Sequence, residues 1–401
     1  MLDYISDAFS VLTKVFALYF MLISLFALFK PRTPPRTNKR LRFAVLIPAR
    51  NEESCIAGIV ESLKCQNYPQ ELLDIYVVPN NCSDDTEGEA LRAGAKIFNV
   101  SSLVRSKGAA LREATAELME QDYDAFIVFD ADNEASPNFV SAMNRTLCGG
   151  ARVAKSRILS KNREQSWVCA CYDIYFCVAN MFMNRARANL GLSARLIGTG
   201  FAVKAEVLKE LGGFKTETIT EDAEFFATLS AAGEQIAFCE DAVTYDEEPL
   251  SFRTSLTQRR RWMSGIMQVA ALKKGDLWRG LFFRESFALS FDTLMQFVFA
   301  YVQAVMPFML IVAFVAEPVG FLKSIPLSIA IGYLGAVANA VLALLFQKRL
   351  SVSMLSGILM YPVFVFSFIP LQTLSLFSRM TEWKEIKHTG VRRYASHSRA
   401  A

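Results

Sequence analysis

Long apolar runs toward both ends of the chain leave it few ways to fold. Phe9 to Phe29 carries one charge, Lys14, and is long enough to cross a bilayer. Lys30, Arg32, Arg36, Lys39, Arg40 and Arg42 follow at once. Basic residues stay on the cytoplasmic side, so the N-terminus is expected outside and the stretch beyond the run inside. No basic stretch precedes the run and no small-residue cleavage site follows it, which favours an anchor over 1–30 and a basic linker over 31–42 rather than a cleaved leader. Leu294–Ala316 and Ile325–Phe346 form a second apolar pair, a hairpin that returns at Gln347-Lys348-Arg349. Met354–Phe377 has the length of a further span, but Pro362 and Pro370 interrupt it. A crossing there would place the basic tail 378–401 outside, against the charge rule, and a re-entrant hairpin would keep it inside; the sequence accommodates both. The expectation is an integral membrane protein, of the plasma membrane, with a cytoplasmic domain over 43–268, an interfacial helical stretch over 269–293 and a membrane region over 294–377.

Composition narrows the chemistry. Of 401 residues 52% are hydrophobic, high for a soluble enzyme, and the net charge of +4 gives no basic surface for nucleic acid. Eight cysteines, at 55, 65, 82, 148, 169, 171, 177 and 239, form no C-x-x-C pair, so neither a zinc site nor a disulfide framework is indicated. Both histidines, His388 and His397, lie in the tail, which removes a histidine triad or histidine metal cluster from the central domain. Neither a P-loop nor a G-x-G-x-x-G sequence is present. Carboxylates, a metal and fixed cations remain.

The central stretch alternates between two periodicities. Phe43–Ile47, Ile75–Val78, Lys96–Phe98 and Ala125–Phe129 are short apolar runs, separated by helical stretches near Glu52–Cys65, Asp84–Ala93 and Gly108–Glu120. That pattern predicts an α/β domain with a mainly parallel sheet covered on both faces, which binds ligands at the carboxyl ends of its strands. Polar clusters fall at those ends: Pro48-Ala49-Arg50-Asn51-Glu52, Asn80-Asn81-Cys82-Ser83-Asp84 and Asp130-Ala131-Asp132.

Three motifs then carry chemistry. Asp130 and Asp132, delivered by a buried strand, offer hard oxygen ligands to Mg²⁺ or Mn²⁺ bridging a diphosphate. In Thr220-Glu221-Asp222, Asp222 is the candidate general base, and Thr220 reads equally as a helix cap with the two acids favouring the first-turn dipole. Gln258-Arg259-Arg260-Arg261-Trp262 reads as helical, with Gln258, Arg261 and Trp262 on one face. Arg259 and Arg260 suit either that site or an anionic lipid surface. Lys107 opens a helix, a fitting place for a phosphate contact, and Gly198-Thr199-Gly200 permits close backbone approach to a ligand.

Taken in order, Ile47-Pro48-Ala49-Arg50-Asn51-Glu52-Glu53, Ser106-Lys107-Gly108, the Asp-x-Asp, Gly198-Thr199-Gly200, Thr220-Glu221-Asp222 and Gln-x-x-Arg-Trp resemble the family 2 glycosyltransferases, in the membrane-embedded branch of the cellulose, chitin, hyaluronan and poly-N-acetylglucosamine synthases. The resemblance spans roughly residues 43–268 and implies a GT-A-type mixed-sheet domain for nucleotide sugars, flanked by transmembrane helices. It also implies donor contacts from Pro48, Arg50, Glu52, Asn80, Lys107, Asp130, Gln258 and Arg261, acceptor contacts from Gly200, Glu221 and Trp262, and a metal at Asp132 with Asp130. One departure concerns the nucleoside: many members carry Asp-Asp after the second strand, where this chain has the uncharged Asn80-Asn81. The expected activity is inverting transfer of a sugar, from UDP, to a hydroxyl of a growing β-linked polysaccharide. Glycosylation of a membrane lipid is the neighbouring reading. A sugar nucleotidyltransferase, a non-catalytic scaffold and a transporter with a regulatory domain account for fewer of the motifs.

Overall fold

The computed structural model describes residues 2–31, 34–101, 104, 106–378, 380, 390 and 391. Most of the basic tail, with both histidines, therefore lies outside the described residues. Eight strands form one sheet: β1 (Phe43–Ala49), β2 (Leu73–Pro79), β3 (Lys96–Ile97), β4 (Ala125–Val128), β5 (Glu134–Ala135), β6 (Val153–Ser160), β7 (Phe201–Lys204) and β8 (Ile236–Asp246). Their order is β3-β2-β1-β4-β7-β6-β8-β5. The first four are parallel, β7 runs against both β4 and β6, and β6 and β8 are again parallel. The sheet is thus mixed, its parallel half being the one read from the apolar runs.

Strand alternation divides the core. Phe43, Val45 and Ile47 enter one cluster with Ile127, Phe129 and Phe139, while Ala44 and Leu46 enter the other with Phe126, Val128 and Phe201. Burial on both faces explains why β1 and β4 are uninterrupted apolar runs. The crossover helices Ile56–Lys64, Thr86–Ala93 and Lys107–Leu118 start within a few residues of the expected positions. β1, β2, β4 and β8 all end on one edge, where Asn51 and Asn81 turn the chain through positive φ. Because β7 is antiparallel to β4, its leading residues lie on that same edge, with the Gly200 N–H donating to the Val128 carbonyl at 2.8 Å.

Among the described residues four segments are long and apolar enough to cross a membrane: Tyr4–Leu28, Arg284–Ala316, Pro318–Phe346 and Val352–Leu374. The helices start earlier than hydropathy indicates. The stretch expected as one interfacial region over 269–293 is divided, since the helix Phe252–Gly280 runs through its first half and the Arg284–Ala316 helix begins in its second. The last segment breaks at Ser367 into Leu355–Phe366 and Phe368–Leu374. It touches the sheet domain along its length, from Ser353 on Glu164 at 3.1 Å, through Phe364 and Ser367 on Arg259, to Met380 on Ser264 at 2.9 Å.

Buried ion pairs fix the apolar helices to the domain. Arg187 forks onto Asp292 at 2.8 and 3.2 Å, and the Tyr19 hydroxyl donates to the same carboxylate at 2.8 Å. Arg349 forks onto the wholly buried Asp173 at 3.0 and 2.8 Å, and the Ser160 N–H completes that carboxylate's shell at 3.1 Å. Removing one partner of such a pair strands a buried charge. Asp173→Ala is therefore expected to lower unfolding free energy by about 3 to 5 kcal/mol, read as a fall in melting temperature of the detergent-solubilised chain. Asp173→Asn, which keeps the Ser160 bond, should lose less.

Candidate active site

Residues 198–200 are the centre of the arrangement. The Gly198 N–H donates to the Asp222 carboxylate. The Gly198 carbonyl accepts from Lys107 Nζ at 3.2 Å, and the Thr199 carbonyl accepts from Lys155 Nζ at 2.5 Å. The Thr199 hydroxyl accepts from the Asp130 N–H at 2.9 Å and donates to Asn133 Oδ1. One short loop thus sets the position of the candidate base and of the first carboxylate of the Asp-x-Asp. Glycine is required where the loop meets the sheet: Gly200 has φ +65°, and a Cβ there would lie 2.2 Å from Thr244 Oγ1 and 2.3 Å from Ser156 Oγ.

Lys107, first residue of its helix after the Ser106 cap, bridges Asp130 at 2.5 Å and Glu221 at 2.8 Å. Burial alone would depress its ammonium, but the two carboxylates outweigh burial and hold it above the ordinary lysine value. Gly108 lets that helix close on the next, because a Cβ there would lie 2.2 Å from Thr216 Oγ1 and 3.1 Å from the Glu221 Cβ. Thr220 occupies the cap position of the Glu221–Ala231 helix but makes no side-chain cap bond. Packing against Gly265, where a Cβ would sit 2.3 Å away, holds it in place instead. Asp222 lies in the first turn of that helix, a rigid mount for a base.

The three consecutive arginines have three environments. Arg259 is fully buried, donating to the Phe364 carbonyl and Ser367 Oγ at 2.8 Å each, with its guanidinium 4.1 Å from the Phe364 ring centre and 4.7 Å from that of Phe368. It serves neither diphosphate nor lipid surface, because the helix phase turns it into the membrane segment. Arg260 is exposed and reaches Ser378. Arg261 and Trp262 face the cavity; Trp262 meets Tyr172 edge-on at 6.1 Å, and Tyr172 in turn donates to Gln258 at 2.8 Å.

A cavity of 290 Å³ collects these groups. Pro48, Arg50, Glu52, Asn80, Lys107, Asp130, Asp132, Glu221, Asp222, Gln258, Arg261 and Trp262 all line it. Gly200 does not; the close approach it permits is to Ser156 and Thr244 rather than to an acceptor. Glu221, read from sequence as an acceptor contact, has its carboxylate committed to Lys107.

Asp246, Asn133 and Lys155 are among the residues here that escaped the sequence reading. Asp246, at the end of β8, accepts from Asn133 Nδ2 at 2.7 Å and is hydrogen-bonded to Asp132. Burial, then the charges of Asp132, Glu248 and Asp130, raise its carboxyl well above the usual range. Asn133 directly follows the Asp-x-Asp, and Lys155 stands in β6 beside Ser156 and Arg157, so nothing in the local sequence sets it apart. Among the described residues no group of three or more ready-made metal ligands is present. The crowded negative charge at Asp132 and Asp246 nevertheless fits a divalent ion that keeps several waters and takes its remaining ligands from a diphosphate.

A mixed sheet whose strand ends gather an Asp-x-Asp, a helix-mounted carboxylate and fixed cations around one cavity defines a nucleotide-sugar-dependent glycosyl-transfer domain of GT-A type. The family model "Glycosyltransferase like family 2" matches residues 40–265, more than half of the chain, and the protein belongs to that family. Among relatives, the chain is similar to a probable glycosyltransferase, YdaM, of Bacillus subtilis (28% identical; 57% of this chain, 56% of the relative). It is also similar to the beta-monoglucosyldiacylglycerol synthase of Trichormus variabilis (26%; 56% and 49%) and to glucomannan 4-beta-mannosyltransferase 2 of Arabidopsis thaliana (23%; 69% and 55%). The chain spans about half the length of these relatives. Its fold is shared with the mannosyltransferase PcManGT of Pyrobaculum calidifontis, solved with GDP-Man and Mn²⁺, at a TM-score of 0.61 and 18% identity over 93% of this chain and 99% of that one.

Lys155 supplies a pH prediction. Burial pushes its ammonium down to about 7, only partly offset by Asp246, Asp222 and Asp130. The unfolded chain then binds the proton more tightly than the folded one, so stability contributed at this site rises with pH from about 7 toward the ordinary 10.5. Lys155→Met should abolish that rise, measured by denaturation in detergent at pH 7 and pH 9. An unchanged slope in the variant would assign the rise to another group.

Proposed function

We propose that the protein is a membrane-bound inverting glycosyltransferase, its catalytic domain on the cytoplasmic side of the plasma membrane, taking one sugar from a nucleoside diphosphate, UDP in our reading. The observation that carries this is the shared loop: residues 198–200 hold Asp222 and Asp130 at one cavity also lined by Lys107, Arg261 and Trp262. An acceptor hydroxyl attacks the anomeric carbon as the bond to the diphosphate breaks, and its proton passes to the Asp222 carboxylate. One-step displacement inverts the anomeric centre. Lys107 and Arg261 hold phosphate oxygens, Pro48, Arg50, Glu52 and Asn80 bound the nucleoside end, and Trp262 offers a face to the acceptor sugar. Asp132 with Asp130 would hold Mg²⁺ or Mn²⁺, which when bound neutralises charge developing on the departing diphosphate.

The acceptor in this reading is the hydroxyl end of a β-linked polysaccharide. A second reading, a membrane lipid, draws support from the cavity wall itself: Tyr175 lines the cavity and stacks on Phe368 of the membrane segment, ring centres 5.7 Å apart and planes 17° apart. Contacts on either side of 354–377, Ser353 on Glu164 and Met380 on Ser264, favour a re-entrant course for it, since a segment flanked by the domain returns to the side it left.

Radiolabelled transfer by the purified chain, with UDP-glucose, UDP-N-acetylglucosamine, UDP-galactose and a GDP-sugar and either metal, tests the proposal. A product ladder identifies the polysaccharide reading, and single addition into the organic phase identifies the lipid one. Asp222→Asn should reduce transfer by about 100- to 10,000-fold while nucleotide still binds; undiminished transfer would remove Asp222 as the base. Asp132→Asn should abolish the metal dependence of nucleotide binding.

A further inference from the structure

One cation in the cavity remains after the donor side is accounted for. Arg195 lines the cavity just ahead of the 198–200 loop. Its backbone N–H donates at 3.0 Å to Asn184, on the π-helical turn Ala179–Arg185. Its guanidinium reaches only Met183 Sδ, at 4.0 Å, and has no carboxylate partner among the described residues. The neighbouring arginines differ: Arg185 is paired with Glu240 and Arg187 with Asp292. Burial lowers the Arg195 pKa, with Tyr175, Asp292 and Asp222 only partly opposing it.

Arg195 is partly exposed at the cavity, so its guanidinium is open to an anionic group bound there. Lys107 and Arg261 are assigned above to the donor's phosphates, and neither role involves Arg195. The wall of the same cavity includes the apolar Ile158, Tyr175, Phe176 and Ile197, with Ile197 two residues beyond Arg195. Tyr175 abuts the membrane segment, and Asp222 is close enough to Arg195 for their charges to interact.

We infer that this end of the cavity is an acceptor subsite for a phosphate-bearing amphiphile, with Arg195 holding the phosphate and the Tyr175–Phe176–Ile197 wall taking the adjoining apolar chain. The inference rests on the glycosyl-transfer reading above and selects within it, because it requires an acceptor hydroxyl beside an anionic group, presented to Asp222.

The test uses the full chain in neutral detergent with three soluble probes below their micelle concentrations: dihexanoyl phosphatidylglycerol, uncharged dihexanoylglycerol and inorganic phosphate. The phosphatidylglycerol alone should raise the melting temperature at submillimolar concentration. Arg195→Gln should weaken that binding about tenfold or more, the loss expected for one charge-assisted hydrogen bond, with Arg195→Lys intermediate and UDP–Mn²⁺ affinity unaltered. Ile197→Glu, which gives the arginine an internal carboxylate, should remove the same shift and serves if Arg195→Gln does not fold. An equal response to dihexanoylglycerol overturns the anionic requirement. An equal response to phosphate overturns the amphiphile. A loss of UDP–Mn²⁺ binding in Arg195→Gln reassigns the residue to the donor. Wild-type protein that binds the phosphatidylglycerol but neither UDP nor GDP would instead refute the glycosyl-transfer reading, and the acceptor role with it.

Discussion

The two acidic motifs of the candidate active site depend on how the backbone of residues 198–200 is suspended. Lysines take two of its carbonyls, Asp222 takes one of its N–H groups, and the Thr199 hydroxyl reaches Asp130. Carboxylates brought this close repel one another, and a loose loop would let them drift apart. Lys107 balances the charge from behind the loop while the loop's peptide groups fix direction. The candidate base is thereby positioned by main chain, whose geometry costs less conformational entropy to hold than that of a long side chain.

The same economy appears where the domain meets the apolar helices. Arg187–Asp292–Tyr19 and Arg349–Asp173–Ser160 are closed hydrogen-bonded sets in which each carboxylate accepts from several donors. A buried ion pair seldom adds much net stability over an apolar equivalent, but it tolerates few alternative partners. These two sets fix which face of each helix meets the domain, a choice that apolar side chains alone leave nearly degenerate.

Much of this was legible in the sequence where local chemistry decides structure. β1, β2 and β4 are apolar and buried on both faces, so their runs could be read directly, and the polar residues after them mark the cavity. β5 and β7, of two and four residues, have no pattern of their own; they are strands because partners pair with them. Arg259 and Arg261 are identical in type and two residues apart, and their separate fates are set by Phe364 and Ser367, about a hundred positions later. Gly200 looked like a ligand-contact glycine because φ and close approach are visible as glycine, whereas the neighbour being approached is not. Lys155 and Arg195 needed the folded environment, since a charge becomes unusual only once its surroundings are known.

The seating of Arg259 has a further consequence for what can be separated from what. Its guanidinium fills a socket of Phe364, Phe368 and a backbone carbonyl, all supplied from beyond the membrane hairpin. A soluble fragment cut at the end of the catalytic motifs would lose the socket and leave that arginine facing solvent from inside a helix interface. The turn bearing Gln258, Arg261 and Trp262 would lose its abutment with it. The helix that carries these motifs and the apolar helices after it are sequential in the chain but share one buried interface, so neither keeps its native surroundings when cut from the other.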